Sequence, residues 1–481
     1  MAICTVEPGP LSGRLLVPPS KSMGHRALFC AALADGESHI DNVVLSDDML
    51  ATLAALKSLG VRTSVQESRR YAGRSLVTVF GTGSFQPTGE AIDCHESGST
   101  ARFVIPVSRL VSDPVSVTGR GRLMERPFGL FRTIFAGKGV QMTDRDGCLP
   151  ASFEGRLESG TFRLRGDVSS QFITGLLFIL PKLQGDSVIE VEGTLESAPY
   201  VSMTLEMLEM FGVKAEMNVI AATEASGNVT SRDVSSVNEI TGDVISGNVT
   251  SVNDSSSEIR TGACIHVPGG QSYRPTDYEV EGDWSQAAFW IVAGALGNPL
   301  VLEGLRMNSL QGDRVVVDLM RGMGAEIREE EACLRVGFSQ SPLKALDMDV
   351  AQCPDLVPAL AVAAAFAEGR SRIGNAARLR IKESDRLKAM REQLGALGAS
   401  IVEEPDGLLI EGSGMRVGGF PTGGEVDGCG DHRIVMASAI AATNASGPVI
   451  IHGMESVRKS YPGFWDDFRV LGGIAHEQHL G

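Results

Sequence analysis

No two of the eight cysteines, at 4, 30, 94, 148, 264, 333, 353 and 429, are spaced as a CxxC pair. That absence argues for reduced thiols and a cytoplasmic protein rather than a disulfide framework. Aromatic residues are scarce, at 5 %. Long apolar runs are missing: the longest, "ALAVAAAFA", falls far short of the roughly 20 residues a membrane helix needs. The start, "MAICTVEPGPLSG", lacks the basic region and apolar core of a secretion signal. Positive charge is in deficit, with 43 Lys and Arg against 59 Asp and Glu and a net charge of −16. This balance argues against nucleic acid as the main partner, and it requires any anionic substrate to meet locally concentrated cations. There is no GxxxxGK[ST], against a P-loop kinase, and no GxGxxG after a strand, against a dinucleotide fold. Metal-ligand spacing is absent too; the "HEQH" of His476 and His479 is an isolated pair. The chemistry is therefore expected to be free of metal and cofactor.

What the chain does have is 481 residues, 43 % of them hydrophobic, and 56 glycines. These totals fit an α/β protein of more than one domain with many tight turns. A helical segment ending in hydrophobic-Gly-hydrophobic or a close variant recurs six times: "LKSLGV", "FAGKGV", "LEMFGV", "MRGMGA", "LGALGA" and "FRVLGG". The signature glycines are Gly60, Gly139, Gly212, Gly324, Gly398 and Gly472. Glycine is the expected residue just past a helix end, and a strand-like run follows each. A second, more apolar helix precedes each: "KSMGHRALFCAALA", "ESGSTARFVIPVSRLV", "SSQFITGLLFILPKL", "DWSQAAFWIVAGAL", "PDLVPALAVAAAFA" and "DHRIVMASAIAA". Six β-α-β-α-type units follow, in two sets of three. One gap between signature glycines is 112 residues where its neighbours are 73 and 74. It contains a Ser-, Asn- and Val-rich stretch with "SGNVTS" twice, read as an insertion on the third unit near 220–260.

Polar residues concentrate where helices should open. Unit one has Lys21, Ser22 and Arg26; unit two has "ESGST", with Gly98, and then Arg122; unit three has Ser169, Ser170 and Gln171, then Ser197 and Tyr200. Unit five has Asp355, then Lys382, Glu383 and Arg386; unit six has Asp431, His432 and Arg433, then Lys459. Each has an ordinary explanation alone. Ser22, Ser169, Ser170 and Asp355 suit helix N-caps, and Asp283 of unit four, with no basic neighbour, reads as a cap only. His432 alone reads as a structural histidine. Lys382 and Arg386 suit a solvated face paired with Glu383 and Asp385, and Arg122 and Arg126 suit pairing with Glu125. As a set, though, Lys21, Arg26, Arg122, Lys382, Arg386, Arg433 and Lys459 sit where the helix dipole disfavours cations. A local rule broken at equivalent points of a repeat marks function, and converging N–H groups and cations make an anion site. Seven cations imply at least two anionic groups.

In these motifs the chain resembles the 3-phosphoshikimate 1-carboxyvinyltransferases, or EPSP synthases. "PPSKSMGHRA" is similar to the family's P-x-S-K-S-x-x-x-R-A, "ESGSTAR" to G-N-[AS]-G-T-x-x-R, and "GDVSSQF" to S-S-Q-F. "RIKESDRL" is similar to [RK]-x-K-E-[ST]-D-R-L, "GDHRIVMA" to D-H-R-x-x-M, and "RKSYPGF" to K-[ST]-[FY]-P-x-[FY]. The likeness runs from about residue 10 to 470. Departures are Glu96 for the usual Asn, Ser99 for Thr, Arg378 where some members have Asn, and the insertion. The resemblance implies an α/β fold of two domains, each of three βαβαβ-type units in an inverse α/β barrel around a substrate cleft. The domains would be 20–281 and 1–19 plus 282–481, hinged near 19–21 and 280–283.

It further implies transfer of the enolpyruvyl group of phosphoenolpyruvate to the 5-hydroxyl of shikimate 3-phosphate, in aromatic amino acid biosynthesis. By analogy Lys21, Ser22, Arg26, Ser169, Ser170, Gln171, Ser197, Tyr200, Asp355 and Lys382 would bind shikimate 3-phosphate. Lys21, Gly98, Arg122, Gln171, Glu383, Arg386, His432, Arg433 and Lys459 would hold phosphoenolpyruvate. The acceptor hydroxyl must lose a proton while the enol methylene gains one, which calls for a base and an acid. Asp355 is the candidate base and Glu383 the candidate acid, with Lys21 and Lys459 as competitors. A cytoplasmic monomer is expected, with no membrane partner. The rivals are the sister transferase acting on UDP-N-acetylglucosamine, which typically has Lys-Asn for Lys21-Ser22, and a non-catalytic anion-binding protein.

Overall fold

All six expected apolar helices form, and they are the inside of the molecule. The computed structural model describes residues 2–220, 262–331, 333–337, 342–414 and 420–479. The apolar helices are Lys21–Leu33, Gly98–Val107, Ser170–Ile179, Trp284–Ala295, Val357–Phe366 and His432–Ala442. Every residue of the last three is buried, as expected for a helix without a polar face. The second helix of each unit is shorter or two-faced; Arg386–Ala396, for example, buries Arg386, Leu387, Ala389, Met390 and Leu394. All six signature glycines have positive φ, from 76° to 97°. Five directly follow a helix C-cap, where a Cβ would be strained. In unit two the helix stops at Ile134, and Gly139 closes a further turn instead.

Each unit carries a four-stranded sheet of one pattern: a parallel pair, then two antiparallel neighbours. The chain order within a unit is βαβαββ, one strand more than the βαβαβ pattern that the resemblance implied. Two sheets borrow a strand from afar. Tyr278–Glu279 pairs with Asp35–Val43 in unit one, and Gly13–Leu16 pairs with Leu300–Glu303 in unit four. The first strand, Ala2–Glu7, completes unit six between Val449–His452 and Ile474–His479. Its burial alternates strictly, one face inward and one outward. The expected insertion lies outside the described residues except for Ile220, which pairs directly with Gly262 on the far side of it.

Apolar residues form two clusters, one from residues 23–280 and one from residues 2–17 together with 284–475. In the first, Phe29, Phe103 and Phe178 of three different apolar helices meet at centroid distances of 5.3–5.7 Å. Such pairs add about 0.5–1.5 kcal/mol each beyond area burial and fix how the helices converge. The chain crosses between clusters twice, side by side: Ser20 N–H donates to Glu281 O at 2.7 Å and Asp283 N–H to Pro18 O at 2.8 Å. Gly282 permits this approach, because a Cβ there would lie 2.5 Å from Gly304 O. The architecture is thus the two-half inverse α/β barrel, helices within and sheets without.

Candidate active site

The six apolar helices open toward the gap between the clusters, and the polar residues come with them. Ser20, not Ser22, is the N-cap of the first helix, accepting from Met23 N–H. Lys21 therefore sits at the first helical position, against the dipole. Two carboxylates answer it: Asp283 accepts its backbone N–H at 3.1 Å, and Asp48 accepts from its Nζ at 2.6 Å. Asp283 also caps its own helix as expected, but it does have a basic neighbour, one brought by the fold rather than by the sequence. Ser22 lies inside the helix, its carbonyl accepting from Arg26 Nη1 at 2.8 Å.

Arg26 is buried, and its other nitrogens donate to Thr204 Oγ1 and the Tyr200 carbonyl at 2.9 and 2.8 Å. No carboxylate among the described residues pairs with it, and burial pushes its pKa down to about 10. A buried cation on neutral acceptors is a seat for an anion. Ser169 caps the third apolar helix, with Ser170 and Gln171 following. Gln171 Nε2 donates to Ser99 Oγ at 2.8 Å, and its Oε1 accepts from Arg102 Nη1 at 3.0 Å. Ser197 holds a left-handed backbone, φ 56°, at the start of the helix Ala198–Met210. Such strain collects at functional positions.

Two arginines escaped the sequence pattern. A Cβ on Gly98 would lie 2.7 Å from Arg126 Nη1 and 2.8 Å from Arg102 Nη1, so both guanidinium groups crowd that turn. The Nε of each has no hydrogen-bond partner among the described residues. Burial, with Arg126 alongside, pushes the Arg102 pKa down to about 9. Arg122, expected here, is half-buried, and no hydrogen bond or ion pair joins it to the described site residues. The candidate is corrected to Arg126, which reaches Glu383 Oε1 at 3.4 Å from the other cluster. Its extended backbone at the end of a 3₁₀ turn carries no helix-opening signature, and Glu125 beside it suggested a local pair. Arg102 was visible only as the last letter of "ESGSTAR".

The other wall centres on Arg386, whose side chain is 2 % exposed. It donates to Asp431 Oδ2 at 2.8 Å, Asp355 Oδ1 at 2.8 Å and Glu383 Oε2 at 2.7 Å. Asp355 also faces Arg433 at 3.3 Å, Lys382 at 3.6 Å and the Tyr200 hydroxyl, which donates at 3.2 Å. Burial opposes its ionisation, yet Arg433, Lys382 and Arg386 together hold the Asp355 carboxyl well below the usual range. Burial is likewise outweighed at Glu383, by Arg386 and Arg126. Glu383 is therefore ionised among these guanidinium groups, and an acid role needs the arriving substrates to neutralise them first. His432 is buried and kept neutral by burial, and neither ring nitrogen has a hydrogen-bond partner among the described residues. Lys459 Nζ donates to Gly430 O at 2.7 Å and to Glu96 across the gap. Arg378 donates to Ser197 Oγ at 2.9 Å and pairs with Glu196, also across the gap. Two of the departures from the family pattern, Glu96 and Arg378, thus join the two halves.

These residues meet between the two halves, where Arg26 has no carboxylate partner and the Nε atoms of Arg102, Arg126 and Arg433 have no hydrogen-bond partner among the described residues. The comparisons bear on what binds there. A family model described as "EPSP synthase (3-phosphoshikimate 1-carboxyvinyltransferase)" matches residues 6–250 and 251–468. A 3-phosphoshikimate 1-carboxyvinyltransferase of Clostridium kluyveri is 42 % identical over 481 residues, covering all of both chains. One of Clostridium novyi is 39 % identical over 478 residues, 99 % of each. Among solved structures, an EPSP synthase of Acinetobacter baumannii superposes with a TM-score of 0.75 at 26 % identity, covering both chains fully. The enolpyruvyl transferase NikO of Streptomyces tendae gives 0.71 at 16 %, covering 100 % of this chain and 99 % of that one; it shares the fold.

Proposed function

This chain belongs to the EPSP synthase family and transfers the enolpyruvyl group of phosphoenolpyruvate to the 5-hydroxyl of shikimate 3-phosphate; on that premise we propose which residues bind and which move protons. The observation that carries the assignment is Asp355, a half-buried carboxylate contacted at once by Tyr200 from one half and Arg386 and Arg433 from the other. Asp355 is the base that takes the 5-hydroxyl proton, so that the oxygen bonds to the central carbon of phosphoenolpyruvate. Glu383 takes a proton from solvent as the bound substrates neutralise Arg386 and Arg126, and gives it to the methylene carbon. One methyl proton must return to a base, Glu383 again, as the carbon–oxygen bond to phosphate breaks, since the product keeps its methylene. The carboxylates favour the cationic carbon and the guanidinium groups favour the departing phosphate.

Shikimate 3-phosphate is held by Lys21, Ser22, Arg26, Ser169, Ser170, Gln171, Ser197, Tyr200, Asp355 and Lys382, with Arg378 adding charge beside Ser197. Phosphoenolpyruvate is held by Lys21, Arg102, Arg126, Gln171, Glu383, Arg386, His432, Arg433 and Lys459, against the Gly98 turn. The Nε atoms of Arg102, Arg126 and Arg433 and the ring nitrogens of His432, without partners among the described residues, support that placement. The domains proposed are 20–281 and 1–19 plus 282–481, closing about 19–21 and 280–283, which the paired crossings support. Among the described residues no helix is long and apolar enough to cross a membrane. Eight unpaired thiols support a reducing, cytoplasmic setting.

The test mixes the chain and phosphoenolpyruvate with either shikimate 3-phosphate or UDP-N-acetylglucosamine and measures phosphate. Release with the first alone is expected; release with the second alone selects the sister activity, and none with either selects a binding protein. Within the site, Arg126→Ala is expected to raise the KM for phosphoenolpyruvate about ten- to hundred-fold, the worth of a charge-assisted hydrogen bond. Arg122→Ala should leave it within about two-fold, as for a surface change. Gly98→Ala pushes both guanidinium groups aside, and steady-state kinetics should show a higher KM for phosphoenolpyruvate with that for shikimate 3-phosphate unchanged.

A further inference from the structure

Asp313 belongs to none of the residue sets above, yet it touches the centre of the site. It lies in the 3₁₀ turn Gly312–Val315 and is 3 % exposed. Its Oδ2 accepts from the Ser285 hydroxyl and stands 3.4 Å from the Tyr200 hydroxyl oxygen. That same phenolic oxygen is 3.2 Å from Asp355 Oδ2. One hydroxyl between two carboxylates has one proton to give. Asp355, held ionised by three cations, is the stronger acceptor and takes it. The remaining contact sets an Asp313 oxygen against the phenolic oxygen, which is attractive only when Asp313 carries a proton and donates it.

The backbone is shaped to make this contact across the gap. A Cβ on Gly312 would lie 2.8 Å from Pro199 Cγ and 2.9 Å from Gln352 O. Only glycine lets the turn bearing Asp313 press against the residue preceding Tyr200. No ion pair among the described residues involves Asp313, and its Oδ1 has no hydrogen-bond partner there.

We propose that Asp313 is a positioning residue for the base: as a neutral carboxylic acid it donates to the Tyr200 oxygen, turns the phenol proton onto Asp355, and by ionising limits substrate capture at alkaline pH. The proposal rests on Asp355 being the base. The groups facing Asp313 are Asp355 and Cys353 beside the turn Pro354–Leu356, Arg433 of the sixth apolar helix, Asp283 and Ser285 of the fourth, and Tyr200. Burial, with Asp355 beside it, pushes the Asp313 carboxyl up to about 7, against Arg433 and Ser285. Burial also raises the Tyr200 hydroxyl well above its ordinary value, so the phenol stays protonated throughout. Above about 7 an ionised Asp313 competes for the phenol proton and adds negative charge where an anionic substrate must enter.

The experiment is the pH profile of kcat/KM for shikimate 3-phosphate, which reports the free enzyme. The native profile is expected to fall about tenfold per pH unit above the Asp313 transition, and Asp313→Asn, a donor that cannot ionise, to lose that limb. An unchanged limb in Asp313→Asn overturns the proposal. Infrared absorption gives a reading independent of turnover: a protonated-carboxyl band at neutral pH, present in the native protein and gone in Asp313→Asn. Its absence from the native protein overturns the proposal as well. Near-native turnover in Asp355→Asn would instead overturn the assignment of the base, while the infrared band reports on Asp313 separately.

Discussion

Asp355→Asn is expected to lower kcat by about 10²- to 10⁴-fold, the usual worth of a positioned general base. Phosphate release at saturating substrates measures it. Asparagine keeps the shape and still accepts from Tyr200, but it cannot take a proton. It also leaves Arg386, Arg433 and Lys382 without the carboxylate they converge on, at 2.8, 3.3 and 3.6 Å. Those cations then face the substrates with less opposing charge, Arg386 keeping only Asp431 and Glu383, so binding of shikimate 3-phosphate by calorimetry should be retained while turnover collapses. Unchanged binding with a collapsed rate marks a group needed in the transition state rather than for capture. A kcat within about fivefold of native would move the base elsewhere in the cleft.

The fold was legible because its requirements are local and repeated. A glycine past a helix end, as at Gly60 or Gly398, is demanded by backbone geometry alone, and six copies in register leave little room for accident. The cations were legible for the same reason where they broke the helix-dipole preference, as Lys21 does at its first-turn position. Their partners were not. Asp48 meets Lys21 through the packing of two helices, and Glu96 meets Lys459 from 363 residues away. Arg126 sits in an extended segment and Arg102 in mid-helix, where a cation breaks no local rule. Asp313 belongs to no motif at all; only the close approach at Gly312 gives it a role. The sequence shows where charge is misplaced by local standards, and the tertiary structure shows what answers it.

Arg386→Leu is expected to cost about 3–5 kcal/mol of stability at neutral pH, the penalty for stranding buried charge. Three carboxylates, Asp431, Asp355 and Glu383, share this one guanidinium, and the Asp431 side chain is fully buried. In each, burial raises the pKa and the cations, Arg386 among them, more than offset it. A carboxyl depressed in the folded state stabilises above its unfolded pKa, and that contribution is lost as pH falls through its folded value. The native–variant difference in urea midpoint should therefore be widest near neutrality and narrow in acid, as the carboxylates take up protons. Arg386→Lys should recover little, because an ammonium lacks the planar fork that serves Asp431, Asp355 and Glu383 together. A difference that stays constant from neutral to acidic pH would mean that Arg386 contributes packing rather than charge.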